Sequence, residues 1–161
     1  MSGLFGFLFA RREPVLSDAS ARDASEIAAL HAVSFRRGWS EEEVESMLLD
    51  RAVTAHRARQ GSSLSGFIMS RRAADEAEIL SVAVARRHRG KGLARQLLNL
   101  HLRHLAGLGQ RAVFLEVDEH NQPAIKLYNR AGFREVARRP NYYPLDNGKT
   151  AAALVLRRDI A

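Results

Sequence analysis

Apolar residues recur with two different periods along the 161-residue chain, and the switches between those periods predict its elements. Val15-Leu16 reads as a short strand. Asp23 then caps a helix whose apolar positions Ile27, Leu30, Ala32, Val33 and Phe35 recur at helical spacing as far as Gly38. Ser40-Glu41-Glu42-Glu43 has the form of a capping box, in which hydroxyl and carboxylate each satisfy a free N–H, and it opens a helix over 40–51. Strands are expected near 53–58 and, after the turn Gly61-Ser62-Ser63, at 64–71. A polar turn at Ala74-Asp75 leads into 78–84, a run almost wholly apolar or small, as a strand buried on both faces would be. Leu93, Leu97, Leu98, Leu100, Leu102 and Leu105 mark a long amphipathic helix from Gly92, which Gly107-Leu108-Gly109 stops. A strand at 112–117, a helix at 121–130 closed by Gly132, and strands at 133–137 and 151–156 complete the chain.

The resulting order, β α α β β β α β α β β, is that of a mixed α/β unit with strand-helix-strand at its centre. Neither a repeat nor a Gly/Ser linker divides it, so one domain is expected over 15–161, preceded by an apolar extension at 1–14. The share of apolar residues, 46%, is enough for a packed core. No apolar run approaches the ~20 residues of a membrane span. The apolar first ten residues are followed, not preceded, by charges, Arg11-Arg12, the wrong order for an export signal. With no cysteine present, disulfides, thiolate-bound zinc and cysteine nucleophiles are excluded, and a cytoplasmic location fits.

Charge adds a hint about partners. Lys and Arg outnumber Asp and Glu by 25 to 18, for a formal net charge of +7, which favours anionic partners without choosing among nucleic acid, membrane surface and phosphorylated cofactor. Placement is more informative. Arg87-His88-Arg89-Gly90-Lys91-Gly92 follows the buried strand directly and opens the long helix. Glycines let successive N–H groups converge, the helix start adds its own unpaired N–H groups and positive dipole end, and Arg87, Arg89 and Lys91 supply charge, with His88 as a possible further donor. Such a turn is built for phosphate. It has neither the spacing of a P-loop nor that of a dinucleotide fingerprint.

Here the chain resembles a known family. Arg87-x-x-Gly90-x-Gly92 matches the pyrophosphate loop of the Gcn5-related N-acetyltransferases, and Ser81–Val84, Leu115–Val117, Asn121-x-x-Ala124, Leu127-Tyr128 and Gly132-Phe133 fall at the expected separations. The resemblance covers roughly 15–158. Trp39-Ser40, Leu115–Val117 and Arg139–Pro144 look most like the bacterial ribosomal-protein-alanine N-acetyltransferases. It implies a single-domain α/β fold whose mixed sheet of six to seven strands is splayed at its centre and flanked by about four helices. It also implies acetyl-coenzyme A as donor, with pantetheine lying along Val82, Ala83 and Val84, phosphates held at Arg87, Arg89, Gly90, Lys91, Gly92, Leu93 and Ala94, and a further contact at Asn121.

The same resemblance implies Glu116 as the base, its alternation in the strand pointing it away from Leu115 and Val117 toward the cleft, and Tyr128 as the acid that protonates the leaving thiolate. As base, Glu116 needs a raised pKa or an intervening water. Asn121 is expected to cap the helix carrying Tyr128, with Pro123 in its first turn. Trp39, Tyr142 and Tyr143 are expected around the acceptor entrance, the last two in a long polar loop over 138–148. The expected acceptor is the N-terminal amine, alanine by resemblance, of a small-subunit ribosomal protein; DNA, a bound metal and oligomerisation are not expected. A lysine side chain or small amine is the alternative acceptor. A basic RNA- or ribosome-binding module without catalysis is the alternative function.

Overall fold

The computed structural model describes residues 12–161; the greater part of the expected apolar extension lies outside the described residues. Seven strands form one sheet: β1 (Val15–Asp18), β2 (Val53–Gln60), β3 (Ser63–Ala73), β4 (Glu76–Val84), β5 (Ala112–Asp118), β6 (Arg134–Pro144) and β7 (Thr150–Asp159). Four helices flank it: α1 (Ala24–Ser34), α2 (Glu41–Leu49), α3 (Leu93–Gly107) and α4 (Gln122–Arg130). The spatial order is β1-β2-β3-β4-β5-β7-β6, antiparallel throughout except for the parallel pair β4–β5 that α3 connects.

Alternation along the strands divides the core into two layers. Ala77, Ile79, Val113, Leu115, Val117, Leu154 and Leu156 meet Leu97, Leu98, Leu102 and Leu105 of α3 and Tyr128 of α4 on one face. Ala55, Phe67, Met69 and Ala83 meet Ile27 and Ala28 of α1 and Val44 of α2 on the other. Leu97 and Leu98 are fully buried, so truncating either to Ala is expected to cost about 2–5 kcal/mol.

Several boundaries differ from expectation. The Ser40 capping box forms, with Glu43 N–H donating to Ser40 Oγ at 3.1 Å and Ser40 N–H to Glu43 Oε2 at 2.8 Å. Asp23 makes no side-chain cap on α1. Its buried carboxylate instead accepts from Ser20 N–H and pairs with Arg57 and Arg59 of β2. α1 ends at Ser34 rather than at Gly38, whose role is close approach: a Cβ there would meet Ala32 Cα at 2.9 Å.

The largest correction concerns 138–148. Most of this segment is strand, not loop: β6 runs to Pro144 and pairs with β7 from Arg134↔Arg157 to Pro144↔Thr150. Pro140 and Asn141 read as strand breakers, but β6 is a sheet edge, where a missing N–H is tolerated. A register shift between Arg139 and Tyr143, with Asn141 at φ 55°, absorbs the irregularity as a bulge.

Candidate active site

β4 and β5 pair only from Glu76↔Ala112 to Ile79↔Leu115, and beyond those residues they part. The cause is visible in β4. Met69 pairs with Ser81 and Ser70 with Ile79, which leaves Leu80 as an extra residue, a bulge that bends the strand. It also shifts the alternation by one: Ala77 and Ile79 face α3 before the bulge, Val82 and Val84 after it. Val82, Ala83 and Val84 keep their ladder to β3, opposite Ile68, Phe67 and Gly66. Toward β5 their main chain meets no strand. Their side chains are core while that backbone edge pairs with no strand, and although Val84 O accepts from Arg89 Nε, an amide-bearing chain has ladder positions to fill.

The loop after β4 is a 3-10 turn, Arg86–His88, followed by Gly90 at φ 73° and Gly92 at φ 80°. Both angles lie in the left-handed region, where a glycine is unstrained. Gly92 is the N-cap of α3, and no side chain caps that terminus. The first intrahelical bond is Gln96 N–H to Gly92 O, so Leu93, Ala94 and Arg95 present N–H groups with no helical acceptor. Leu93 is buried and Ala94 half-buried on the core, which anchors this row of donors. Arg87, Arg89 and Lys91 are exposed. Arg89 also folds back, its Nε donating to Val84 O at 3.0 Å, so that its remaining guanidinium nitrogens are the ones free for an anion.

His88 does not join this set. It is buried, with Nε2 3.3 Å from Ser65 Oγ, and burial together with Arg87 and Lys91 lowers its pKa. The alternation of basic and glycine residues suggested a row of donors, but the 3-10 turn directs this one inward.

Glu116 lies on β5 between the buried Leu115 and Val117, on the face opposite α3. It lines a cavity of about 350 Å³ together with Glu76, Glu78, Phe114, Arg71 and Arg139. Arg139 Nη2 is 3.2 Å from Glu116 Oε1. Sequence reasoning missed this partner, because the contact depends on β6 lying two strands away across β7.

Tyr128 is on α4, on the opposite face, packed edge-on against Phe133 at 5.7 Å between ring centroids. Burial pushes its phenol up to about 12. Asn121 caps α4 as expected, its Oδ1 accepting from Ala124 N–H at 3.3 Å, and Pro123 sits in the first turn.

The three aromatic residues of the expected entrance fall in two places. Trp39 is half-buried, stacks on His31 at 3.9 Å and lines a second cavity of about 340 Å³ with Glu43, Ser46, Met47, Asp50 and Arg71. Tyr143, half-buried on β6, has a raised pKa, through burial first and then the nearby Glu116. Tyr142 is exposed under the Arg139 guanidinium, 5.5 Å from the ring centre. The two groups are tied together where Arg36, ahead of Trp39, donates to Pro144 O at 2.6 Å. Arg71 lines both cavities. No group of three or more His, Asp or Glu among the described residues is arranged to hold a metal ion, and no described helix is long and apolar enough to cross a membrane.

Comparison with known proteins gives this geometry a context. The family described as Acetyltransferase (GNAT) matches residues 24–133. The [Ribosomal protein bS18]-alanine N-acetyltransferase of Escherichia coli K12 is 32% identical over 117 residues, covering 73% of this chain and 78% of that protein. The mycothiol acetyltransferase of Corynebacterium efficiens is 39% identical over 83 residues, 51% of this chain but 28% of that one. Among solved structures, the ribosomal-protein-S18-alanine N-acetyltransferase from Escherichia coli superposes with a TM-score of 0.85 at 26% identity, covering 92% and 94% of the two chains. Arabidopsis thaliana NAA60 in complex with acetyl-CoA shares the fold, with a TM-score of 0.80 at 22% identity and coverage of 91% and 98%.

Proposed function

Because the chain belongs to the acetyltransferase (GNAT) family, we propose that it transfers acetyl from acetyl-coenzyme A to the N-terminal amine, with alanine as first residue, of a ribosomal protein. The observation that carries this reading is the end of β4–β5 pairing at Ile79 together with the uncapped start of α3 one loop after β4: an unpaired strand edge is followed by a row of phosphate donors. The relatives described as bS18-alanine acetyltransferases support the choice of acceptor. Residues 15–161 are taken as the catalytic unit of a monomer acting in the cytoplasm, without DNA as a partner and with 1–14 as an apolar extension.

The residues present fit the donor. Backbone of Val82 and Val84 would pair with pantetheine amides, Asn121 would contact the same arm, and Gly90, Gly92, Leu93 and Ala94 N–H groups with Arg87, Arg89 and Lys91 would hold the diphosphate. Acetyl-coenzyme A supplies a thioester carbon open to attack. An N-terminal ammonium, with a reference pKa of about 8, must lose a proton before its lone pair can form the C–N bond, and Glu116 takes that proton directly or through water. As the C–N bond forms the C–S bond breaks: the departing sulfur takes a proton from Tyr128, the nitrogen gives its second proton to solvent as the amide forms, and solvent returns a proton to the phenolate. The base on one face of the sheet and the acid on the other let acceptor and leaving group occupy opposite sides of the same gap. Trp39, Tyr142 and Tyr143 wall the acceptor side.

Mass spectrometry of products from a peptide library varying the first residue, with lysine and polyamines as competitors, tests the acceptor. Preference for Ala over Ser, Gly and Met is expected. Preferred acetylation of lysine or of a small amine would replace this acceptor, and salt-sensitive RNA binding without coenzyme A affinity would replace the activity itself.

A further inference from the structure

Trp39 reaches its cavity from the irregular segment between α1 and α2, and behind it lies a buried histidine that the acetyl-transfer chemistry does not use. His31, in the last turn of α1, is 4% exposed. Its ring stacks on the indole of Trp39, with centroids 3.9 Å apart and planes 9° from parallel, and on the ring of Phe35 at 4.5 Å and 28°. Two rings stacked that closely cannot share one face of an imidazole, so His31 lies between them. Trp39 N–H also donates to His31 Nδ1 at 3.1 Å, so one ring holds both the main chain and the side chain of Trp39.

Accepting a hydrogen bond at Nδ1 requires that nitrogen to be bare, which puts the proton on Nε2 and the ring in its neutral form. Burial lowers the pKa of His31, outweighing the nearby Glu43, and keeps that form in place. Gly38 completes the seat, since its missing Cβ lets the chain just ahead of Trp39 come against Ala32 of α1. The indole is thus fixed to α1 by a stack and a hydrogen bond while it lines a cavity of about 340 Å³ with Met47, Asp50 and Arg71. Trp39 is half-buried and open to that cavity, whereas His31 is not among its lining residues. Arg71 also lines the cavity of Glu116, so wall and base border neighbouring spaces.

We infer that His31 is a positioning residue for the acceptor peptide: backed by Phe35 and bonded to Trp39, its imidazole fixes the indole as a wall of the acceptor cavity. This rests on the acetyl-transfer reading above, in which Trp39 walls the acceptor side, and adds the group that holds the wall. His31 touches neither acceptor nor cofactor. A wall that is rigid before the acceptor arrives needs no ordering when it binds, so His31 acts on acceptor affinity rather than on the chemical step.

Trp39 is the only tryptophan of the chain, so its fluorescence reports on this contact without a label. Time-resolved anisotropy of the wild type is expected to show the indole tumbling with the whole protein. His31→Ala should add a sub-nanosecond component, and His31→Asn, whose Oδ1 can stand in for Nδ1, should lack most of it. With a peptide that begins with alanine, His31→Ala should raise the acceptor KM about 10-fold, with kcat and the calorimetric affinity for coenzyme A within about twofold of wild type. His31→Asn should recover most of that loss. His31→Phe, which keeps the stack but not the acceptor atom, should lie between, and it replaces His31→Ala if that variant does not fold. Leu102→Ala, which loosens the other core layer, should lower Tm without moving KM. An unchanged acceptor KM in His31→Ala, or an indole as rigid there as in the wild type, overturns the inference. So does an equal rise of KM in Leu102→Ala, which would trace the effect to stability alone. Trp39→Ala separates the inference from its premise: a raised KM there with none in His31→Ala keeps the wall and removes His31, whereas an unchanged KM in Trp39→Ala removes the wall and the role of His31 with it. If no N-terminal peptide is acetylated, the acceptor assignment and the inference both fall.

Discussion

Glu116 of β5 and Arg139 of β6 meet at 3.2 Å across the intervening strand β7. β7 allows this because it presents Val155 and Ala153 beside them, side chains too short to intervene. Arg139 is 56% exposed, so the pair contributes little to stability; what it does is fix the carboxylate at the mouth of the gap.

Glu116→Gln is therefore expected to fold, to bind acetyl-coenzyme A with wild-type affinity, and to lose about 100-fold or more in kcat. Stopped-flow or thiol-release rates across the pH range check this, and a wild-type profile would remove Glu116 from the role of base.

Tyr128→Phe is expected to lower kcat by about 10-fold, less than loss of the base, because a thiolate is already a good leaving group. Since burial pushes the phenol up to about 12, it stays protonated throughout the working range. Wild-type turnover should consequently show no alkaline limb due to this residue below about pH 11. A limb that is present in wild type and missing in Tyr128→Phe would contradict the environment described for the ring.

Gly90 has φ 73° and open space where a Cβ would project. Gly90→Val is thus not a packing clash; it should cost about 1–2 kcal/mol of backbone strain. Coenzyme A affinity should fall far more, because the β-branched side chain occupies the approach to the phosphate donors. Calorimetry and denaturant melts on the same samples separate the two effects, and unchanged affinity would reject the loop as the diphosphate site.

Acid should unfold the protein early. His101 is buried against His56 and Ser70, with His56 Nδ1 2.7 Å from its Nδ1, and burial, His56 and His104 lower its pKa to about 3. The unfolded chain takes up this proton near pH 6.5 while the folded chain refuses it, so stability declines as pH falls below about 6.5. Between pH 7 and 5 the loss from this site alone is about 2 kcal/mol. Asp23 acts in the same direction at lower pH. Burial raises its pKa, but the bonds from Arg59, Ser20 N–H and Arg57 outweigh it and leave the pKa lowered, so its contribution is lost as acid protonates it. Urea melts at the two pH values measure the slope, and a flat profile would show that the histidine network opens without unfolding.

The sequence by itself determined the order and type of the seven strands and four α-helices, though not the 3-10 turn at Arg86–His88, because each rests on interactions within a few residues: period, cap, turn glycine. It also placed Gly90, Gly92, Glu116, Asn121 and Tyr128 on their elements, since a loop between strand and helix, or one charge between two apolar neighbours, is legible locally. Only the tertiary structure decided that 138–144 is strand, because an edge strand with Pro140 is stabilised by its pairing with β7 rather than by its own propensities. The inward turn of His88, the meeting of Arg139 with Glu116 and the pairing of β4 with β5 were decided in the same way. Each depends on what another part of the chain brings alongside, and residues 23 to 36 positions apart become neighbours only when the sheet assembles.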